Sequence, residues 1–277
     1  MNSKSAPDFT EAEIERYSRH ILLREVGGAG QARLRSASVL VVGAGGLGSP
    51  LVLYLAAAGV GRIGIIDDDV VELSNLQRQI AHGVKSLGEP KVASAARAAS
   101  AINPDSVIET RQARLTAANV MDLIAGYDLV CDGTDNFATR LLVSDACVLA
   151  RKTLVSAAVT RFDGQLATFK PHAGGPCYRC FVPEAPPPGL VPSCSEAGVF
   201  GAVVGVMGSL QATEAIKEIL GIGISLAGSL VLYEALATRF HTIKLLKDPE
   251  CPSCGSPPRW HDLSHHKAAA GGGVGAT

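Results

Sequence analysis

Ser38-Val-Leu-Val-Val-Gly43-Ala-Gly45-Gly46-Leu-Gly48 joins a short β-branched apolar run to a glycine cluster, and a small-residue stretch, Leu47 to Ala58, follows it. The first part reads as a buried strand and the last as a helix ended by Gly59. The glycines between them form a G-x-G-x-x-G turn at the strand's carboxyl end. Such a turn lets the backbone approach a phosphate closely, and the free N–H groups of the helix N-terminus favour an anion. Arg62 to Asp67 is a second strand, and its terminal carboxylate lies 19 residues beyond Gly48. That is near the ~20 residues at which an acid holds ribose hydroxyls. Gly43, Gly45, Gly46, Gly48 and Asp67 are therefore candidate nucleotide-binding residues. Taken alone, they favour a nicotinamide-dependent oxidoreductase, with a tight structural turn as the plain alternative.

The rest of the chain continues the alternation. A helix is expected over 10–35, opened by Thr10 with Glu13 three residues later as a capping box. Further helices are expected over 89–102 and about 136–150, and strands over 107–110, 128–131, 153–158 and 165–169. Strands alternating with helices predict an α/β fold, a doubly wound and mainly parallel sheet covered on both faces. The organisation expected is an N-terminal helical arm (1–36), a nucleotide-binding core (37–170), a C-terminal part of the same domain (171–260), and a disordered tail (261–277).

Across 277 residues, 47% are hydrophobic and 18% charged, which excludes wholesale disorder. Net charge is −1, which argues against a general polyanion surface and so against nucleic acid as a partner. The N-terminus lacks the apolar core of a signal peptide, so a cytoplasmic, reducing setting is expected. Ala197 to Thr213 and Ile219 to Tyr233 carry no charge. Gly and Ser interrupt both, and Glu214, Lys217 and Glu218 separate them, so they read as buried elements and not as a membrane span.

Two further clusters point away from a dinucleotide. Asp67-Asp68-Asp69 runs into Ser74-Asn75-Leu76-Gln77-Arg78-Gln79 and then Pro90-Lys91. Acid, amide, arginine and lysine this close to the glycine turn suit a triphosphate, since Arg clamps phosphate oxygens and Lys supplies a point charge. A solvated charged loop is the plainer reading. Asp132-Gly-Thr-Asp135-Asn136 ends one strand and starts a helix, where Asp135 would hold Mg²⁺ between phosphates. Helix capping is the ordinary alternative for Asp135 and Asn136.

Seven cysteines are present. Cys177-Tyr-Arg-Cys180 and Cys251-Pro-Ser-Cys254 supply four thiolates suited to a closed structural Zn²⁺ site, with a redox pair as the rival. If one ion takes all four, it staples the C-terminal extension to the body. Cys131 and Cys147 read as core thiols. Cys194 follows the proline-rich segment Pro183 to Pro192, a linker or a lid, and is a candidate nucleophile without a partner nameable from sequence.

Taken together, residues 9–247 resemble the bacterial MoeB/ThiF/HesA family, relatives of the adenylation domain of ubiquitin-activating enzymes. The resemblance rests on Arg16-Tyr-Ser-Arg19, the glycine turn, Leu73 to Gln79, Pro90-Lys91, Thr134-Asp-Asn136, Cys177 to Cys180, and Gly205 to Lys217. It implies a Rossmann-like fold and ATP-dependent adenylation of the C-terminal glycine of a ubiquitin-like sulfur carrier ending in Gly-Gly. Gly46, Asp67, Ser74, Asn75, Arg78, Lys91, Asp135 and Asn136 would then bind ATP or its Mg²⁺, and Leu76 and Gln77 belong to the same motif. Asp67 would hold the ribose, Arg78 and Lys91 the phosphates, and Asp135 the metal. Arg19 matches an arginine donated by the partner subunit of a homodimer, and Cys194 a loop crossing the carrier tail. Nothing after Pro257 is long enough for an appended rhodanese domain, so sulfur would come from a separate sulfurtransferase or cysteine desulfurase. The rival classes are the oxidoreductase and a non-enzymatic zinc scaffold.

Overall fold

The structure, a computed structural model, describes residues 9–187, 190 and 194–269. The buried run Ser38–Val42 forms β1 at the centre of a sheet, and each of its five residues is buried. Val39 and Val41 enter one core, with residues from helices α3 (Gly48–Ala57), α4 (Lys91–Ile102) and α9 (Gly201–Leu220). Leu40 and Val42 enter the other, with α5 (Val120–Ala125) and α6 (Phe137–Leu149). A strand apolar on both faces has this placement open to it only with helices above and below.

Among the described residues the sheet has eight strands: β2 (Arg62–Ile66), β3 (Val107–Arg111), β4 (Leu129–Asp132), β5 (Thr153–Thr160), β6 (Asp163–Phe169), β7 (Ser229–Glu234) and β8 (Arg239–Lys244) join β1 in the order β3-β2-β1-β4-β5-β6-β7-β8. The first five in that order are parallel and the last three pairings antiparallel. The chain reverses direction across the sheet between β1 and β4, the point at which such sheets bind ligands. The fold class agrees with the expectation; β7 and β8 extend it.

Two expectations are corrected. The helix over 10–35 is two, α1 (Glu11–Ile21) and α2 (Gly27–Ser36). The first stops where the Leu22 N–H turns back onto the carbonyls of Ser18 and His20, and the glycine pair Gly27-Gly28 opens the second. The capping box of Thr10 and Glu13 is present. Second, a disordered tail does not begin at 261. Leu263 is buried and Ser264–Ala269 forms α10, because that segment packs on α6; residues from 270 lie outside the described residues. The uncharged stretches 197–213 and 219–233 contribute to the core helix α9 and the strand β7, the kind of element expected, and among the described residues no helix is long and apolar enough to cross a membrane.

Candidate functional site

Gly43 leaves β1 at φ +94°, a conformation L side chains rarely adopt, and its N–H donates to the Ile66 carbonyl at 2.9 Å. The turn closes so tightly that a Cβ at Gly48 would stand 1.9 Å from the Gly43 carbonyl oxygen. Gly48 is thus the position that permits the turn, whereas Gly43, Gly45 and Gly46 face a cavity of about 340 Å³. The ends of β1, β2 and β4 and the first turns of α4 and α6 surround it, with Asp67, Arg78, Lys91, Asp135 and Asn136 in the lining.

Four of these five side chains, those of Asp67, Arg78, Lys91 and Asn136, are held by neighbours. The Asp67 carboxylate accepts the Ala44 N–H at 2.7 Å through Oδ2 and the Asp69 N–H at 2.8 Å through Oδ1. Burial pushes its pKa above the ordinary carboxylate value, and these two N–H groups and Lys91 pull only part of the way back. Lys91 is 6% exposed and its Nζ sits 2.8 Å from Asp69 Oδ2, while the Asp69 side chain is mostly exposed. An anion entering the cavity can take the ammonium without stranding a buried carboxylate. Leu73–Asn75 forms a single 3₁₀ turn, and Arg78 Nη1 donates back to the Ser74 carbonyl at 3.0 Å. Ser74, Asn75, Leu76 and Gln77 therefore shape the turn that presents Arg78 and do not themselves line the cavity. The loop after β4 is tied down by Asp132, whose Oδ1 accepts the Thr134 N–H and hydroxyl at 3.0 and 2.7 Å and whose Oδ2 accepts the Ser156 hydroxyl at 2.9 Å. Asn136 caps α6 by accepting the Thr139 N–H at 2.9 Å, so it does the ordinary job while also facing the cavity.

Several lining residues were missed in the sequence. Arg140 is 8% exposed, lines the cavity and donates to the Thr134 carbonyl. It lies four residues after Asn136, one helical turn into α6, and that spacing was the available signal. Gln79 and Asp69 stood inside quoted motifs, and Arg114 had no signal. Arg19 is exposed on α1 and is not among the lining residues. Most of the proline-rich segment Pro183–Pro192 lies outside the described residues or has no regular structure. Cys194 is described only as the first residue of a short helix, α8 (Cys194–Ala197), and its thiol lies outside the description.

The four cysteines expected to act together do meet. Cys177 precedes the short helix α7 (Tyr178–Phe181), and the Sγ distances are 4.0 Å to Cys180, 3.6 Å from Cys177 to Cys251 and 3.4 Å from Cys180 to Cys254. Tetrahedral Zn–S bonds of ~2.3 Å place neighbouring sulfurs about 3.8 Å apart, so the set fits one zinc ion. These separations are far too long for S–S bonds, and all four are free thiols. Between the first two, Arg179 forms a buried bidentate pair with Asp145 of α6, with Nε 2.9 Å from both carboxylate oxygens. His265 and His266 of α10 add Nε2 contacts to the same carboxylate at 3.0 and 2.8 Å, and Trp260 lies between Arg179 and His265. Burial raises the Asp145 pKa, but the bonds from His266, Arg179 and His265 outweigh it and hold the carboxyl at about 2. The expected core thiols Cys131 and Cys147 are buried, and burial pushes both far above the ordinary thiol value.

A mainly parallel sheet with a glycine turn, cations and carboxylates gathered at its switch point is a Rossmann-like α/β fold, the kind whose ligands sit in that crevice. Comparison with known proteins narrows this. The profile of the ThiF family matches residues 17–253, and the chain belongs to that family. It is 49% identical over 267 residues to the "Sulfur carrier protein adenylyltransferase" of Thermus thermophilus, covering 95% of this chain and 98% of that protein. It is 49% identical over 243 residues to the "SAMP-activating enzyme E1" of Haloferax volcanii, covering 88% of this chain and 89% of that one. It is also 50% identical over 264 residues to the "Adenylyltransferase and sulfurtransferase MOCS3" of Bos taurus, which matches 95% of this chain but only 58% of that protein's length. The crystal structure of Escherichia coli MccB with ATP aligns with a TM-score of 0.75 over 86% of this chain and 74% of that one, at 21% identity, a likeness of fold.

Proposed function

We propose that the chain is an adenylyltransferase that uses ATP and Mg²⁺ to activate the C-terminal glycine of a ubiquitin-like sulfur carrier. The observation that carries this is the cavity itself: the glycine turn, Arg78, Lys91, Arg114 and Arg140 meet the carboxylates of Asp67, Asp68, Asp69 and Asp135 at the switch point. Four cations in one lining suit a triphosphate better than a nicotinamide dinucleotide. The names borne by relatives about 50% identical over most of the chain support the same chemistry. A carrier carboxylate oxygen attacks the α-phosphorus, the bond from that phosphorus to the bridging oxygen breaks, and pyrophosphate leaves with the electron pair. The products are an acyl-adenylate and pyrophosphate. The chain's task is to hold two anions together and to meet the charge on the leaving group.

In this reading Asp67 takes the ribose, Arg78 and Lys91 the phosphates, and Gly43, Gly45 and Gly46 the close approach. Ser74, Asn75, Leu76, Gln77 and Asn136 hold the flanking turns, and Gly48 permits the loop. Asp135 would hold the metal, and Mg²⁺ would supply neutralisation of phosphate charge. Arg19 serves a second copy in a homodimer; α1 also leaves Leu22 and Leu23 beside it exposed, apolar surface a partner subunit would cover. Cys177, Cys180, Cys251 and Cys254 hold structural Zn²⁺. The setting is cytoplasmic, a separate sulfurtransferase or cysteine desulfurase supplies sulfur, and Cys194 lies on the segment crossing the carrier tail. The molybdopterin and thiamine pathways both use such a carrier.

Exchange of labelled pyrophosphate into ATP tests this directly. Exchange is expected only with a carrier ending in Gly-Gly, and Asp135→Ala is expected to abolish it. Exchange without carrier, or tight NADH binding in place of ATP–Mg²⁺, overturns the assignment.

A further inference from the structure

His82 takes no part in the roles above, yet it is the side chain that holds the glycine turn from behind. It is 8% exposed, and it follows the Arg78 turn, its N–H donating to the Gln79 carbonyl at 3.0 Å. Its Nε2 lies 2.9 Å from the Ala44 carbonyl oxygen and its Nδ1 lies 3.0 Å from Ser94 Oγ of α4. A carbonyl can only accept, so Nε2 carries the proton. In the neutral ring Nδ1 then accepts from the Ser94 hydroxyl. Burial disfavours the charged ring, and Lys91 adds to that, so the neutral form is the one the site keeps.

Ala44 is consequently pinned at both ends. Its N–H goes to Asp67 at 2.7 Å and its C=O to His82. In a trans peptide the C=O and the following N–H point in opposite directions. Fixing the Ala44 carbonyl toward His82 therefore sends the Gly45 N–H the other way, and Gly45 lines the cavity. Among the described residues no backbone carbonyl takes that N–H. The Gly45 carbonyl is held separately by the Ser49 N–H at 2.9 Å.

We propose that His82 is a positioning residue: by holding the Ala44–Gly45 peptide plane it presents the Gly45 N–H as an anion donor in the cavity, and it ties that donor to the turn bearing Arg78. The phosphate assignment of that donor rests on the adenylyltransferase reading; the orientation of the peptide does not.

The test compares two amides. His82→Gln places a donor where Nε2 stands and keeps the Ala44 bond, whereas His82→Asn reproduces the Nδ1 position and keeps only the Ser94 partner. In carrier-dependent pyrophosphate exchange, His82→Asn is expected to raise KM for ATP by about tenfold, the size of one lost hydrogen bond. His82→Gln is expected to stay within about threefold, although both variants melt below the wild type. Hydrogen exchange of the peptide spanning 43–48, measured without nucleotide, is expected to quicken in His82→Asn and not in His82→Gln. Equal behaviour of the two amides, or better retention in His82→Asn, leaves His82 as core packing alone and overturns the proposal. A wild type that shows no pyrophosphate exchange overturns the adenylyltransferase reading instead, and the nucleotide-free hydrogen exchange still decides the positioning role.

Discussion

Lys91→Ala is expected to lower carrier-dependent pyrophosphate exchange by about 10²–10³-fold, the cost of deleting one preorganised charge at a developing anion. Lys91 is 6% exposed and anchors the first turn of α4, so its ammonium is delivered to the cavity by a rigid helix. Its partner, Asp69 Oδ2 at 2.8 Å, belongs to a side chain 66% exposed. Losing Lys91 therefore leaves Asp69 solvated instead of stranding its carboxylate in the interior, so the cost to folding is small. The expected signature is a large loss of rate with a melting temperature displaced by only a few degrees. Lys91→Arg should recover little, because a planar fork does not fit a pocket shaped for a compact ammonium. Exchange within threefold of wild type in Lys91→Ala would remove Lys91 from the chemistry.

What the sequence revealed about this site follows from which contacts are local. The glycine turn, the terminal carboxylate of β2 and the Asp132–Asn136 loop each sit within a few residues of a strand end. Strand–turn–helix grammar alone brought them to one edge of the sheet. His82 escaped for the opposite reason: it reaches a loop 38 residues earlier in the chain and carries no local pattern. Arg140 carries only the faint one of its spacing from Asn136, one helical turn that brings it onto the Thr134 carbonyl. The strand β8 was hidden because all six of its residues are exposed, which erases the alternation that marks a half-buried strand. The helix α5 spans only six residues, too few for a helical period to stand out. Each C-x-x-C pair was plain, but their meeting across residues 181–250 is a property of the fold. So is the Asp145 hub, whose members Arg179, His265 and His266 come from 34 to 121 residues away.

That hub sets the expected result of opening the cysteine cluster. Cys254→Ser should release the zinc ion proposed there and lower the melting temperature by roughly 10 °C. A link that closes a loop of about 75 residues removes on the order of 4 kcal/mol of chain entropy from the unfolded state. Each kcal/mol moves the midpoint of a chain this large by roughly 2–4 °C. The effect is transmitted inward because Arg179 stands between two of the cysteines and its guanidinium is matched only while α7 stays seated on α6. Arg179 is 6% exposed and Asp145 2%, so withdrawing one leaves a buried, uncompensated charge, a costly outcome compared with breaking a surface pair. Trp260, His265 and His266, which pack on that pair, should loosen with it, giving early hydrogen exchange over 257–266 in the variant. Pyrophosphate exchange below the new melting point should fall much less than in Lys91→Ala, since the four sulfurs lie outside the cavity lining. Metal analysis of the wild type is expected to find about one zinc per chain, lost in Cys254→Ser. Loss of the metal with an unchanged melting temperature would show that the four sulfurs do not staple the fold.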